Sequence, residues 1–124
     1  MICLDTHVVA WLYAGEIDRI TKRVQKRIEA EDLGISPIVL LELQYLHEIG
    51  RITDEASVMM QSLGQSIGLV VCTESFERVI TESLTQRWTR DPFDRIIVAQ
   101  AQVGNHPLMT QDLTIRRHCS LAYW

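Results

Sequence analysis

The seven residues Met1-Ile-Cys-Leu-Asp-Thr-His7 begin the sequence with a short apolar run that stops at an acid. A wholly apolar run of this length is typical of a strand buried on both faces of a parallel sheet. Asp5 then lies at the carboxyl end of that strand, the edge at which ligands bind in open α/β sheets. The stretch therefore predicts an α/β fold and makes Asp5 a candidate site residue.

The bulk composition predicts one globular domain over residues 1–124. The 124 residues are 47% hydrophobic and 23% charged, which argues against disorder and allows a sizeable core. The longest apolar runs fall far below the ~18 residues that span a bilayer, and no basic segment precedes an apolar one as in a signal peptide. We therefore expect a cytoplasmic protein with no membrane partner.

The cysteines and histidines show no metal-binding pattern. The three cysteines are widely spaced without a CxxC pair, and the four histidines have no paired spacing. A net charge of -4, taken alone, speaks against a nucleic-acid partner. That argument loses its force if the acids are concentrated in one site.

Apolar runs alternate with amphipathic segments along the chain, and there are no hairpin signals. This order predicts a three-layer α/β/α sandwich around a central parallel sheet of four to five strands. The predicted strands are Met1–Leu4, Leu33–Ser36, Gly68–Cys72 and Leu108–Thr110, with a further apolar piece at Leu121–Trp124.

Two helix starts carry the strongest local signals. Ser36-Pro37 and Asp91-Pro92 each place a capping residue before a proline at the first helical position. The helix from Pro37 to about Ile49 is apolar nearly all round, so we expect it to be largely buried. Its Glu42 is then costly unless it is paired, hydrogen-bonded or metal-bound.

The segment from Asp18 onward is predicted to be an amphipathic helix with a basic outer face. Ile20, Val24 and Ile28 recur at intervals of four residues, and basic residues fill the positions between them. Such a face is either a solvated surface or a nucleic-acid contact. The first is favoured because charge runs are usually solvated.

Two later helices are predicted from apolar residues at helical spacing. The segment Glu55–Ser66 carries Met59 and Met60, which suit gaps in the core better than an adaptable partner surface. The next helix is expected to face the core with four apolar side chains: Phe76, Val79, Ile80 and Leu84.

Four acids follow predicted strands or lie in helices near the sheet: Asp5, Glu42, Asp94 and Asp112. In a parallel sheet all four would gather at one rim. Clustered carboxylates raise one another's pKa unless a cation compensates them, and oxygen ligands without His or Cys select Mg²⁺ or Mn²⁺. Each acid alone also suits a cap, a solvent-facing position or a turn. Together they favour a metal site.

Three motifs resemble the PIN domain family, especially the VapC-type toxins of bacterial toxin-antitoxin pairs. They are Leu4-Asp-Thr-His7, Asp91-Pro-Phe-Asp-Arg-Ile-Ile-Val-Ala-Gln-Ala101, which is the most specific, and Leu108-Met-Thr-Gln-Asp112. The resemblance covers essentially the whole chain and implies a sheet of strand order 3-2-1-4-5. It also implies that Asp5, Glu42, Asp94 and Asp112 are the metal-binding, catalytic quartet, with Thr6 and Thr110 in support.

The sequence differs from the family pattern at two places. Val39 and Leu41 stand near positions where many relatives in this branch carry a second serine and a tryptophan. Asp91 is a second acid close to Asp94, but its place before a proline suits capping better than coordination.

The resemblance implies a metal-dependent endoribonuclease that is held by an antitoxin and forms a homodimer. The residues agree with that chemistry, since divalent ions on the quartet would activate water and orient a phosphodiester, and no Ser-His-Asp or Cys-His set is evident. Without the four acids, the remaining 12 Asp and Glu equal the 12 Lys and Arg. The candidates for phosphate contacts are Arg90, Arg95 and Arg116, although Arg95 equally suits a pair with a neighbouring acid.

Two other classes of function stay open. A non-catalytic interaction module would keep the fold and bind protein through its helices, but the presence of all four acids argues against it. A phosphotransfer receiver or a haloacid dehalogenase-like hydrolase would also carry an acid after the first strand. The hydrolase would show Asp-x-Asp, whereas Asp5 is followed here by Thr6 and His7.

Overall fold

The computed structural model describes all residues, 1–124, as five short strands and seven α-helices. The strands are β1 (Ile2–Leu4), β2 (Leu33–Ile35), β3 (Val70–Val71), β4 (Leu108–Met109) and β5 (Ala122–Tyr123). The helices are α1 (Thr6–Ala14), α2 (Lys22–Ala30), α3 (Pro37–Glu48), α4 (Ala56–Ile67), α5 (Phe76–Ser83), α6 (Pro92–Gly104) and α7 (Leu113–His118). None of these helices combines the length and the apolar character that crossing a bilayer requires.

All strand pairs are parallel, and the sheet has the order β3-β2-β1-β4-β5. The central strand β1 pairs with β2 on one side and with β4 on the other, through Cys3 opposite Gly34 and Leu108. Every residue of β1 is buried, as its apolar composition predicts. The predicted α/β sandwich and the strand order implied by the resemblance are both confirmed.

The capping signals place the helices that lead away from the sheet. Asp5 caps α1, Ser36 caps α3 ahead of Pro37, and Asp91 caps α6 ahead of Pro92. The side chains of all three accept hydrogen bonds from backbone N–H groups of the first turn. Because β1 and β2 run directly into α1 and α3, the caps Asp5 and Ser36 lie at the carboxyl rim of the sheet.

Two predictions of burial are wrong. In α3 only Val39 and Leu43 are buried, whereas Leu41 is 57% and Tyr45 50% exposed. In α5, Val79 is buried, but Phe76 and Leu84 are 76% and 62% exposed. A helix that covers one face of a sheet buries only one stripe, so apolar residues elsewhere on its surface stay exposed.

The basic segment is shorter than predicted and partly used in packing. A 3₁₀ turn at Ile17–Arg19 comes first, and α2 begins only after Thr21, so that Ile20 lies outside the helix. The guanidinium groups of Arg23 and Arg27 lie 4.4 and 4.9 Å from the Tyr123 ring centroid. These two side chains therefore pack against Tyr123 of β5. That the basic face is a solvated surface and not a nucleic-acid contact stays a prediction.

Candidate active site

A polar cavity of about 440 Å³ opens at the carboxyl rim of β1 and β4. Its wall contains five acids, which come from the ends of β1 and β4 and from α3 and the start of α6: Asp5, Glu42, Asp91, Asp94 and Asp112. We call it the carboxylate cavity. The structure thus brings the four acids predicted from the sequence around one space, together with a fifth.

Asp5 is the most firmly held of these acids. One carboxylate oxygen, Oδ1, accepts a hydrogen bond from the backbone N–H of Thr6 at 2.8 Å, and Oδ2 accepts one from the Thr110 hydroxyl at 2.6 Å. The hydroxyl oxygen of Thr110 also accepts the backbone N–H of Asp112 at 3.1 Å. Thr110 therefore connects two acids of the cavity, and the Asp5 side chain, only 4% exposed, has a fixed orientation.

Glu42 is oriented by the other threonine predicted to support the site. The hydroxyl of Thr6 donates a hydrogen bond to Glu42 Oε1. Burial raises the pKa of Glu42, and the negative charges of Asp5 and Asp91 raise it further, while the bond from Thr6 opposes them. The structure therefore places Glu42 on the face of α3 that points into the cavity.

Asp94 is the acid with the most perturbed electrostatics. No protein group donates a hydrogen bond to its carboxylate, and burial raises its pKa to about 7 together with the charges of Asp91, Asp5, Asp112 and Glu42. The raised pKa of Asp94 therefore results from burial and from the four neighbouring acids together.

Asp91 does more than the sequence predicts. Its Oδ1 caps α6 by accepting the backbone N–H groups of Phe93 at 2.9 Å and Asp94 at 3.4 Å, as expected. Asp91 also lines the cavity, and among the neighbouring charges its charge raises the pKa of Asp94 the most. The sequence signal for Asp91 as a further site residue was its spacing of three residues from Asp94 at the start of α6.

Asp112 caps α7 while it faces the cavity. Its Oδ1 accepts the backbone N–H groups of Thr114 and Ile115 at 2.8 and 3.0 Å. The cap consumes one carboxylate oxygen and leaves Oδ2 without a protein donor. Thus the turn role and the site role, which the sequence leaves as alternatives, are compatible.

The donor set fits a hard divalent cation. All five acids offer oxygen ligands, and no ion pair to Lys or Arg involves any of them. No group of three or more His, Cys, Asp or Glu side chains lies close enough together to hold a metal ion as the side chains stand. Magnesium commonly takes only one or two carboxylates and completes its shell with water and phosphate oxygens, so a spread set of acids suits it.

The predicted phosphate-binding arginines are not equally placed. Arg116 lines a second cavity beside Asp112. The Arg90 and Arg95 guanidinium groups donate to the backbone oxygens of Arg87 at 3.0 Å and Thr89 at 2.9 Å, and neither lines the carboxylate cavity. Arg95 forms no ion pair with a neighbouring acid.

Sequence reasoning missed one basic residue of the site. Arg51 lines the carboxylate cavity and is its sole Lys or Arg. It follows Gly50, whose positive φ of 79° turns the chain back after α3. The available signal was the helix stop at Gly50 with a basic residue directly behind it.

Comparisons with known proteins agree with this fold. A family model described as "PIN domain" matches residues 2–121. The protein named Ribonuclease VapC22 from Mycobacterium tuberculosis is 31% identical over 120 residues, which cover 94% of this chain and 91% of that protein.

Two solved structures share the fold at lower identity. VapBC2 from Rickettsia felis, bound to a promoter DNA fragment, has a TM-score of 0.66 and 21% identity, over 94% of this chain and 92% of that one. A toxin-antitoxin complex from Klebsiella pneumoniae has a TM-score of 0.68 and 18% identity, over 100% and 97% of the two chains.

Proposed function

The chain belongs to the PIN domain family, and from this premise we propose that it is a divalent-metal-dependent endoribonuclease and the toxin of a type II toxin-antitoxin pair. The observation that carries the proposal is the convergence of Asp5, Glu42, Asp94 and Asp112 on one cavity in which none of them forms an ion pair with Lys or Arg. A relative that is itself named a ribonuclease supports the choice of RNA as substrate.

The residues that would hold Mg²⁺ or Mn²⁺ are Asp5, Glu42, Asp94 and Asp112. A bound divalent ion supplies an activated water at neutral pH and stabilises negative charge on a phosphodiester. The protein then needs no nucleophilic side chain, in agreement with the composition of the cavity wall.

Two threonine side chains hold acids of the cavity in place. Thr6 and Thr110 fix the carboxylates of Glu42 and Asp5 by hydrogen bonds, which lowers the cost of ordering them when substrate arrives. Asp94 must lose its proton before it can serve as a ligand, because a protonated carboxyl binds cations poorly.

Phosphates of the RNA would be drawn to the cavity by the arginines at its edge. Arg51 lies in the wall of the cavity, and Arg116 lies next to Asp112 in the adjoining one. Guanidinium groups donate hydrogen bonds to phosphate oxygens in a planar fork. We assign Arg90 and Arg95 a weaker part, because their guanidinium groups already bond backbone oxygens.

An antitoxin and a second copy of the chain are the proposed protein partners. Both solved neighbours are described by names of toxin-antitoxin systems. The apolar side chains of Leu41 and Tyr45 are exposed on α3, the helix that carries Glu42, and Ile49 directly after it is exposed as well. Exposed apolar patches of this kind mark protein contacts. Met59 is buried and does not contribute to such a surface. We place the protein in the cytoplasm, where its RNA substrate is found.

The test is RNA cleavage by the wild type and by Asp5→Asn and Asp94→Asn in the presence of Mn²⁺. Both variants are expected to fold and to lose cleavage, while the exposed Asp18→Asn keeps wild-type activity. Full activity in either site variant would refute the proposal. If the wild type itself cuts no RNA, the non-catalytic interaction module becomes the better account.

A further inference from the structure

A second cavity, of about 550 Å³, adjoins the carboxylate cavity and is lined by aromatic side chains. We call it the aromatic pocket and define it by His7, Trp11, Leu113, Arg116 and Trp124. The ring centroids of Trp11 and Trp124 are 6.0 Å apart, and that of His7 lies 4.9 Å from Trp11 and 6.3 Å from Trp124. All three rings are partly exposed, while Trp11 and Trp124 also pack against the core, so the cluster lies at the surface where the core ends.

The aromatic pocket and the carboxylate cavity share part of their walls. His7, Trp11 and Asp112 line both spaces. The backbone N–H of Gln111 donates to His7 Nε2 at 3.0 Å, so the neutral ring carries its proton on Nδ1, which lies 3.4 Å from Asp5 Oδ2. His7 thus lies between the aromatic pocket and Asp5. A group bound in the pocket is a direct neighbour of one bound at the carboxylates.

The wall of the pocket suits one nucleobase. Indole and imidazole rings offer planes on which any base can stack, and an arginine beside them meets the phosphate or stacks as well. One face of Trp11 is already covered by the Arg19 guanidinium, 5.4 Å from its centroid. Trp124 lines the pocket together with Arg116 and the 62% exposed Leu113, and we take it as the main stacking surface.

We propose that the aromatic pocket takes one unstacked base of single-stranded RNA, next to the phosphodiester positioned at the carboxylate cavity. This inference rests on the proposed ribonuclease function and adds the side chains that would hold a base beside the cleaved phosphodiester, above all Trp124 and Arg116. In a duplex the bases are stacked on their neighbours and cannot enter a side-chain pocket.

The test measures RNA affinity in the Asp94→Asn background, in which the RNA stays intact. The probe is a short single-stranded RNA of mixed sequence with a fluorescein label, and the readout is the rise in its fluorescence anisotropy as protein is added. Trp124→Leu and Arg116→Gln, each added to Asp94→Asn, remove the stacking surface and the cation in turn. The control is Trp88→Phe, because the Trp88 ring stacks on His118 outside the pocket.

We expect Trp124→Leu to weaken single-strand binding about tenfold, Arg116→Gln to weaken it less, and Trp88→Phe to leave it unchanged. A duplex of the same sequence should bind weakly and respond little to Trp124→Leu. Thermal unfolding of each variant checks that the fold is kept, and Arg116→Gln tests the pocket if Trp124→Leu unfolds.

The outcomes separate the pocket from the ribonuclease function. If the wild type cuts RNA and both pocket variants bind single strands like Asp94→Asn alone, the pocket proposal is wrong and the function stands. If both variants bind RNA normally but lose the antitoxin, the pocket is a protein contact and the proposal is again wrong. If the wild type neither cuts nor binds RNA, both proposals fail.

Discussion

Helices α3 and α6 begin in the same way but differ in how deeply they are buried. Each follows a capping residue and a proline, and each presents an acid to the carboxylate cavity, Glu42 from α3 and Asp94 from α6. In α6 the whole stretch 97–101 is buried. In α3, which is equally rich in apolar residues, only Val39 and Leu43 are buried.

The difference shows that two separate causes act on a helix. The cap and the proline are local and determine where a helix begins, and therefore where its acid lies. Burial depends on what packs around the helix: α6 packs against α5 and α3, whereas α3 packs against α1, α4 and α6 and still leaves Leu41 and Tyr45 exposed. A site can thus be built from helices that differ in the stability of their packing.

The largest expected effect is on RNA cleavage, and it should be greater for a substitution of Asp94 than for one of Glu42. Asp94→Asn should lower RNA cleavage on the order of a thousandfold, because it removes an acid whose carboxylate is not committed to any protein donor. Glu42→Gln should cost about ten- to a hundredfold, since Thr6 can still orient the amide. Single-turnover rates measure both effects.

The matched control for this pair is Glu48→Gln, an exposed acid at the end of α3. It should cut RNA at the wild-type rate. Equal losses in Glu42→Gln and Asp94→Asn would show that the two helices contribute alike and that the distinction between their acids is wrong.

The next effect concerns packing. Ile97→Ala in α6 should lower the free energy of unfolding by about 3 kcal/mol because it leaves a cavity in a fully packed region. Leu41→Ala in α3 should change it by less than about 0.5 kcal/mol, as for other exposed positions. Urea denaturation gives both values, and a large loss in Leu41→Ala would mean that α3 is covered in the isolated protein.

The pH dependence of the free energy of unfolding should reveal the raised pKa of Asp94. Its pKa rises from 3.8 in the unfolded chain to about 7 in the fold, so its contribution to stability is full below about pH 4 and is lost as the pH rises through 7. Metal-free wild type should therefore be less stable at pH 8 than Asp94→Asn by about 2 kcal/mol, after allowance for screening by water and salt.

The comparison for this effect is made at two pH values. At pH 3 the two proteins should unfold at nearly the same denaturant concentration, because Asp94 is then mostly protonated in both the folded and the unfolded state of the wild type. A constant difference between pH 3 and pH 8 would contradict the assignment of the raised pKa.

A smaller effect lies where the two helices meet. Gln100 of α6 is buried, accepts a hydrogen bond from the Ser36 hydroxyl at 3.2 Å and donates one to Glu74 at 2.7 Å. Gln100→Met keeps the volume and removes both bonds, so it should cost about 1 kcal/mol. The exposed Gln65→Met on α4 is the control, and equal unfolding midpoints for both variants would assign Gln100 no structural part.

Local patterns were sufficient to predict the skeleton of the fold. The buried run before Asp5 predicted the central strand, and the pairs Ser36-Pro37 and Asp91-Pro92 predicted the starts of α3 and α6. These features depend on a few adjacent residues, so the sequence contains them directly. The strand order came from resemblance to a family and not from the local pattern.

What the sequence did not predict depends on contacts between distant segments. The exposure of Phe76 and Tyr45 is decided by which neighbours cover each helix. Arg51 reaches the carboxylate cavity through a turn after α3, and Trp124 meets Trp11 only because β5 pairs beside β4. No periodicity within one segment carries this information.

The measurement that tests the account most directly is calorimetric titration of Mn²⁺ into metal-free protein, with Asp94→Asn as the paired control. It needs no knowledge of the RNA target. The account predicts saturable binding to the wild type that disappears in Asp94→Asn, while both proteins unfold cooperatively. Equal binding by the two proteins, or no binding by a folded wild type, would contradict the assignment of the carboxylate cavity as a metal site.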